Sequence, residues 1–288
     1  MNRLFVLGCS FSNYAWPSWA DMLGQDYEHY ENWAYPGLGN RAICERLAEI
    51  IARYNISDKD TIIIQWTSHL RHDWHTNDQR HDVKPGVGWK TSGSIFNYIN
   101  SELYDDNWIK TFWDENSYIM HTLNYILLAQ GLLKSTGCNW RMTSMGYIHK
   151  MNGDYPDSDH GEKSKLLDLW KQMPALKIYE KIFEDKTKWI TPVGTYAWQH
   201  NTLKPFSFKS GKGIGTVEDR HPTPEQHADY VQTQVYPSLM KSQNLNDQTK
   251  KWIDTVNNIY EQTHRDFNYF CEKVGNDLDG WHNSYRGF

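Results

Sequence analysis

Cysteine is scarce in this 288-residue chain: Cys9, Cys44, Cys138 and Cys271 are widely separated and form no C-x-x-C pair. That argues against a zinc site and a disulfide framework alike, and makes a reduced, cytoplasmic setting the default expectation. Long apolar runs are missing too. No stretch approaches the ~20 residues of a membrane helix, so no membrane span is expected. The N-terminal apolar run covers only residues 4–7, too short for the apolar segment of a secretory signal. Leu7-Gly8-Cys9 is faintly like a lipoprotein cleavage site, but cleavage there would destroy the first strand. Basic runs are absent as well. Thirty Lys plus Arg stand against 35 Asp plus Glu, for a net charge of -5, and nothing in this balance suggests nucleic acid. No internal repeat or low-complexity segment is visible.

Aromatics, by contrast, are abundant, with 14 Trp and 18 Tyr. Such rings stack on sugars, but they also fill cores and interfaces, and filling is the commoner use. The stretch that organises the rest is Arg3-Leu4-Phe5-Val6-Leu7-Gly8-Cys9-Ser10-Phe11-Ser12. It opens as a buried parallel strand and ends in small, polar residues. Gly8 permits a tight turn. Ser10 then stands at the carboxyl edge of a sheet, where open α/β sheets place their chemistry. A helix-capping serine would explain the position as well.

Downstream the periods alternate. A helix opened by Pro17, a short strand over 27–34, a helix over 41–54 and an apolar strand over 60–66 follow in order. Further on come a helix over 116–134 with Gly137 at its C-cap, strands over 139–145 and 188–193, and between them a helix from about 162 to 184. Residues 195–215 read as loop. The stretch after residue 66 reads as polar loop to about residue 94, part of an insertion spanning about 70–115, with a second at about 150–187. Pro224 opens the last helix of the core, and residues 246–277 form a helical tail. The pattern predicts a three-layer α/β/α, flavodoxin-like fold with a doubly wound, mostly parallel five-stranded sheet. Residues 1–243 would form the α/β domain, and 244–288 a helical extension packed on or beside it.

Such a sheet brings together Ser10, the glycine loop of Gly37, Gly39 and Asn40, and Ser68 with His69. Asn40 fits a helix N-cap as well as a ligand contact. The loop Glu218-Asp219-Arg220-His221-Pro222-Thr223 lies just before the last core helix and supplies an acid and a histidine. Hydroxyl, base, orienting carboxylate and oxyanion donors are the physical minimum for acyl transfer. The histidines His69, His72, His75 and His81 match no zinc signature, and Gly211-x-Gly213-x-Gly215 follows no strand. No metal and no cofactor are therefore expected.

On these residues the chain resembles the SGNH hydrolases, or GDSL-like esterases, and among them the small stand-alone bacterial and phage members. Gly8-Cys9-Ser10-Phe11-Ser12 is similar to their first block, Gly37 with Asn40 to the glycine block, and Asp219-Arg220-His221-Pro222-Thr223 to the last. The resemblance implies hydrolysis of an ester, with Ser10 as nucleophile, His221 as general base, and Asp219 or Glu218 as the acid. It also implies oxyanion donors at the backbone of Ser10 and Gly37. Cys9 replaces the family's aspartate. The third block, Trp66-Thr67-Ser68-His69, lacks the family's asparagine, which leaves one oxyanion donor missing or supplied by Ser68 or His69. Losing such a donor costs about 10²–10³ in rate.

The expected partner is a small ester or acylated carbohydrate, with oligomerisation open and virion association in the case of a phage origin. A hydrolase fold kept as a binding or structural module, for instance in a viral particle, is the rival. A flavodoxin-like nucleotide binder using residues 10–13 as a phosphate loop is a weaker third.

Overall fold

The computed structural model describes residues 2–75, 89–94, 106–112, 114–146, 148, 174–199, 203–210, 215–241 and 244–281. The first strand, β1 (Arg3–Leu7), runs into a turn and then α1 (Trp19–Gly24). Ser18 caps α1 in a reciprocal capping box with Asp21, so Pro17 precedes the helix rather than opening it. β2 (His29–Asn32), α2 (Asn40–Arg53) and β3 (Asp60–Trp66) follow close to their expected places. Two short antiparallel strands, β4 (Arg71–His75) and β5 (Trp89–Ser94), stand where polar loop was expected.

Next come α3 (Asp106–Phe112), α4 (Glu115–Thr136) and β6 (Asn139–Ser144). Gly137 closes α4 in the left-handed conformation at φ 72°, as its sequence position predicts. A 3₁₀ helix (Pro174–Phe183) replaces the described end of the helix expected from about 162; residues 162–173 lie outside the described residues. The expected loop over 195–215 instead holds most of α5 (Val193–Gln199) and all of β7 (Ser207–Lys209), which pairs with β8 (Thr216–Glu218). Gly211 and Gly213 lie outside the described residues. The last core helix starts as α6 (Pro224–Tyr230), widens to a π-helical turn (Val231–Val235) and ends as α7 (Tyr236–Ser238). The tail forms α8 (Asp247–Gln262) and α9 (Phe267–Asp277).

The main sheet is parallel, with strands in the order β2-β1-β3-β6. The expected fifth strand is reduced to one bridge, Trp189 to Met142. Ile190 N–H still reaches the Met142 carbonyl at 2.8 Å, but Pro192 has no N–H to continue the ladder. Residue alternation sorts the two faces. Phe5, Leu7, Ile62, Ile64 and Trp66 pack against α2 and α4, while Leu4, Val6 and Ile63 pack against α1 and the Tyr230–Val235 segment. A separate aromatic cluster joins Trp16, Phe206 and Phe208 to Trp252, Val256, Phe270 and Val274 of α8 and α9. No described helix is long and apolar enough to cross a membrane.

Candidate active site

In this strand order the chain reverses direction of winding between β1 and β3, which opens a crevice at their carboxyl ends. The turn after β1 is held there by one residue of β3. Gln65 Oε1 accepts the Cys9 N–H at 3.1 Å and the Ser12 hydroxyl at 3.1 Å, and its Nε2 donates to the Trp66 carbonyl at 2.6 Å. Gly8 is required here by close approach. A Cβ at that position would lie 2.8 Å from both Gln65 Oε1 and Ser12 Oγ. Asn32 Nδ2 ties the Ser12 carbonyl to the end of β2 at 2.7 Å, and Asn13 Nδ2 donates to the Ala34 carbonyl at 2.8 Å. Ser10 is thus presented on a turn fastened to both neighbouring strands, and it caps no helix.

From the other end of the chain, the loop between β8 and α6 delivers His221. Ser10 Oγ lies 2.9 Å from His221 Nε2, and His221 Nδ1 lies 2.6 Å from Asp219 Oδ1. Asp219 is a carboxylate and only accepts, so the Nδ1 proton points at it and Nε2 is left to accept from Ser10. The backbone N–H of His221 donates to the same Asp219 oxygen at 2.9 Å, and the Tyr14 hydroxyl donates to the other at 2.8 Å. Burial pushes the Asp219 carboxyl up. The hydrogen bond and charge of His221, its backbone N–H and the Tyr14 hydroxyl outweigh that and hold it below the ordinary carboxylate range. Ser10 is 6% exposed and the His221 side chain 23%, so the three groups are shielded but reachable.

Glu218, the alternative acid, sits exposed at the end of β8 opposite Ser207. The carboxylate that bonds the His221 ring is that of Asp219, whose N–H is pinned to the Phe206 carbonyl at 2.8 Å.

The remaining expected site residues divide. Gly37 lies in a turn closed from Leu38 N–H to the Tyr35 carbonyl at 3.2 Å, with φ 86°. Pro36 followed by a left-handed glycine is what a type II turn requires. Asn40 is not the cap of α2, and its side-chain amide is engaged within the protein. It opens the helix, and its Nδ2 donates to the Thr67 carbonyl at 3.0 Å and to Thr122 Oγ1 at 3.1 Å, while its Oδ1 accepts the Thr67 N–H at 2.9 Å. The capping carboxylate of α2 comes instead from Asp73 of β4, which accepts the Gly39 N–H at 2.8 Å and the Ala42 N–H at 3.2 Å. Ser68 Oγ accepts the Leu70 N–H at 3.2 Å within its own turn, and His69 lies half-buried beside it. His72 Nδ1 is 2.8 Å from the Tyr118 hydroxyl; the His75 side chain and His81 lie outside the described residues.

Three contributors were not anticipated from sequence. Gln65 was signalled only by being the polar residue late in an apolar strand. Tyr14, four residues after Ser10, lies parallel to the His221 ring, with centroids 3.6 Å apart and planes at 19°. Trp198 is half exposed. Its indole N–H donates to the Arg220 carbonyl at 3.0 Å, and its ring meets Phe11 edge-on at 5.8 Å. Phe11 in turn lies 5.1 Å from the His221 ring. A groove of about 410 Å³ opens between Tyr14, Phe208, Val217, Asp219, His221 and Phe267. Ser10 is not among the residues that line it.

No family model and no curated protein matches the chain. Among solved structures it is similar to the crystal structure of TesA at 12% identity and a TM-score of 0.42, with 82% of this chain and 97% of that chain covered. It is also similar to a member of the lipolytic protein G-D-S-L family from Veillonella parvula at 11% identity and a TM-score of 0.38, over 80% and 95% of the two chains.

Proposed function

We propose that the chain is a serine esterase of the SGNH type. The observation that carries this is the hydrogen-bonded series Ser10, His221, Asp219, with its 2.9 Å and 2.6 Å links. Ser10 Oγ attacks the ester carbonyl carbon as its proton passes to His221 Nε2. The resulting oxyanion is received by backbone N–H groups at Ser10 and Gly37. On collapse the bond from carbon to the alcohol oxygen breaks, and His221 gives its proton to that oxygen. Water then attacks the acyl-serine by the same route, with His221 again as base, and releases the acid and free Ser10. Throughout, Asp219 orients the ring and offsets the charge it acquires.

With Asn40 committed to Thr67 and no asparagine after β3, a side-chain amide donor to the oxyanion is wanting from the expected positions. That favours an activated or small acyl group as substrate over a demanding one. The half-exposed Trp198, fixed beside His221 through Phe11 and Arg220, suits a sugar ring stacked next to the scissile ester. An acylated carbohydrate, such as an O-acetyl sugar, is therefore the proposed substrate. The same lack of an amide donor supports a second reading, a weakened hydrolase acting as a binding module.

A fluorescent fluorophosphonate separates the two. Labelling at Ser10, located by peptide mass spectrometry and lost in His221→Ala, is the expected result. A folded wild-type protein that takes no label makes the binding module the function.

A further inference from the structure

We propose that Tyr14 is a fourth member of the Ser10, His221, Asp219 series, a positioning residue that holds the acid and the base through two different parts of one side chain. The proposal rests on the esterase reading and deepens it. Tyr14 approaches the pair from the β1 loop, 205 residues away from Asp219 in sequence, and donates its hydroxyl to Asp219 Oδ2 at 2.8 Å. Its ring simultaneously covers one face of the imidazole at 3.6 Å and 19°. Ring and hydroxyl therefore do separable things. The hydroxyl occupies the carboxylate oxygen that His221 does not use, so Asp219 cannot rotate away from Nδ1. The π face lies against the ring that becomes cationic when Ser10 attacks, where an aromatic quadrupole stabilises positive charge.

The support is built in. Trp16 meets the Tyr14 ring at 4.6 Å and 89°. Trp16 is itself buried and donates its indole N–H to the Pro222 carbonyl, one residue beyond His221, at 2.9 Å. Two successive aromatics of the Ser10 loop thus grip the His221 loop at both ends. Burial, and then the nearby Asp219 charge, raise the Tyr14 phenol well above its ordinary range, so it stays a donor at every pH where the enzyme would work.

Other titratable groups around the site do not imitate its effect. His227, facing the site from α6, is pushed down to about 3 by burial and then by the charge of His221. Cys271, from α9, is pushed up to about 11 by burial and then by the charge of Asp219. Both are neutral across a working pH range. Arg220 and Glu218, neighbours of the pair in its own loop, are exposed and screened by solvent. A shift in the acid limb of the rate profile therefore reports the link between Tyr14 and Asp219.

The test compares wild type, Tyr14→Phe and Tyr14→Leu by kcat and KM on a short acyl ester across pH, with fluorophosphonate labelling and thermal melts alongside. Tyr14→Phe keeps the stacked ring and strips one donor from the carboxylate, which then becomes more basic and favours the protonated ring. The expected result is a fall in kcat on the order of tenfold, the size of one hydrogen bond to a charged group, with KM unchanged and the acid limb moved to higher pH. Tyr14→Leu also removes the π face and is expected to lose about a hundredfold in kcat.

An unshifted acid limb and unchanged kcat in a folded Tyr14→Phe would overturn the proposal. So would parallel losses of stability and labelling with no change in the profile, since a merely structural residue behaves that way. Absence of labelling in wild type would instead sink the esterase reading itself.

Discussion

Single residues in this site have separable consequences because each makes contacts of a different kind. Asp219 bonds Nδ1 of His221 whereas Glu218 faces solvent on β8. On the proposed esterase mechanism, Asp219→Asn is therefore expected to lower kcat by about 10⁴, as when an orienting carboxylate is neutralised in a serine hydrolase, while Glu218→Gln leaves turnover unchanged. Steady-state rates on one short ester check both. Gln65→Leu addresses the scaffold beneath Ser10. It removes the acceptor for the Cys9 N–H and the Ser12 hydroxyl, and each donor left buried costs roughly 1–3 kcal/mol. A lower melting temperature together with slower labelling of Ser10 is the expected outcome.

Elements are coupled to the site through their ends. The first turn of α2 has no capping side chain of its own at Gly39, and Asp73 supplies one from β4 across 34 residues of sequence. A Cβ at Gly39 would run into the Asp73 carboxylate, so a side chain there would displace the cap. Asp73→Ala leaves two N–H donors of the α2 start without their acceptor and is expected to destabilise the protein by about 1–2 kcal/mol in a urea melt. The insertion after β3 therefore does more than decorate the sheet, since its first strand finishes a core helix. The π-helical turn at Val231–Val235 follows the same logic. Tyr230, just before it, places its hydroxyl 2.9 Å from that of Thr143 and donates to the Thr191 carbonyl at 2.7 Å, which anchors the helix to the edge where the fifth strand breaks off.

At the scale of the whole molecule, two linkages are expected. His227 is buried, and neither ring nitrogen has a partner among the described residues; it is pushed down to about 3 from the ordinary 6.5. The folded state binds this proton more weakly than the unfolded one, so stability is complete above 6.5 and is lost as pH falls toward 3. Asp219 acts in the same direction at lower pH, since its contribution is present above the ordinary 3.8 and is lost as pH falls through its depressed folded value. Urea melts over this range should show the decline, and His227→Leu should flatten it. The second linkage runs through the tail. α8 and α9 pack on Trp16, Phe206 and Phe208, and Trp16 holds the Pro222 carbonyl. A chain ended at residue 241 is expected to lose labelling of Ser10 even where the α/β core still melts cooperatively.

The central strands, the alternation that makes a doubly wound sheet, and the candidate pair Ser10 and His221 were all legible in the residues. Side-chain period and local turn chemistry are short-range properties, visible within a window of ten or so residues. The fifth strand failed because its apolar pattern ignored Pro192, which ends the ladder after a single bridge. The choice of Asp219 over Glu218 needed the pairing of β8 with β7, which turns one acid outward and pins the other. Asn40 fitted a cap in the sequence, but the cap position falls to Gly39 and the Asn40 amide goes to Thr67 and Thr122. Tyr14 carried no local mark at all, because Asp219 and His221, which it meets in the site, lie more than two hundred residues away. Local sequence determined which elements form and which chemistry-bearing residues stand at their ends; only the tertiary structure decided which of those residues touch, since contact across such separations depends on packing and not on pattern.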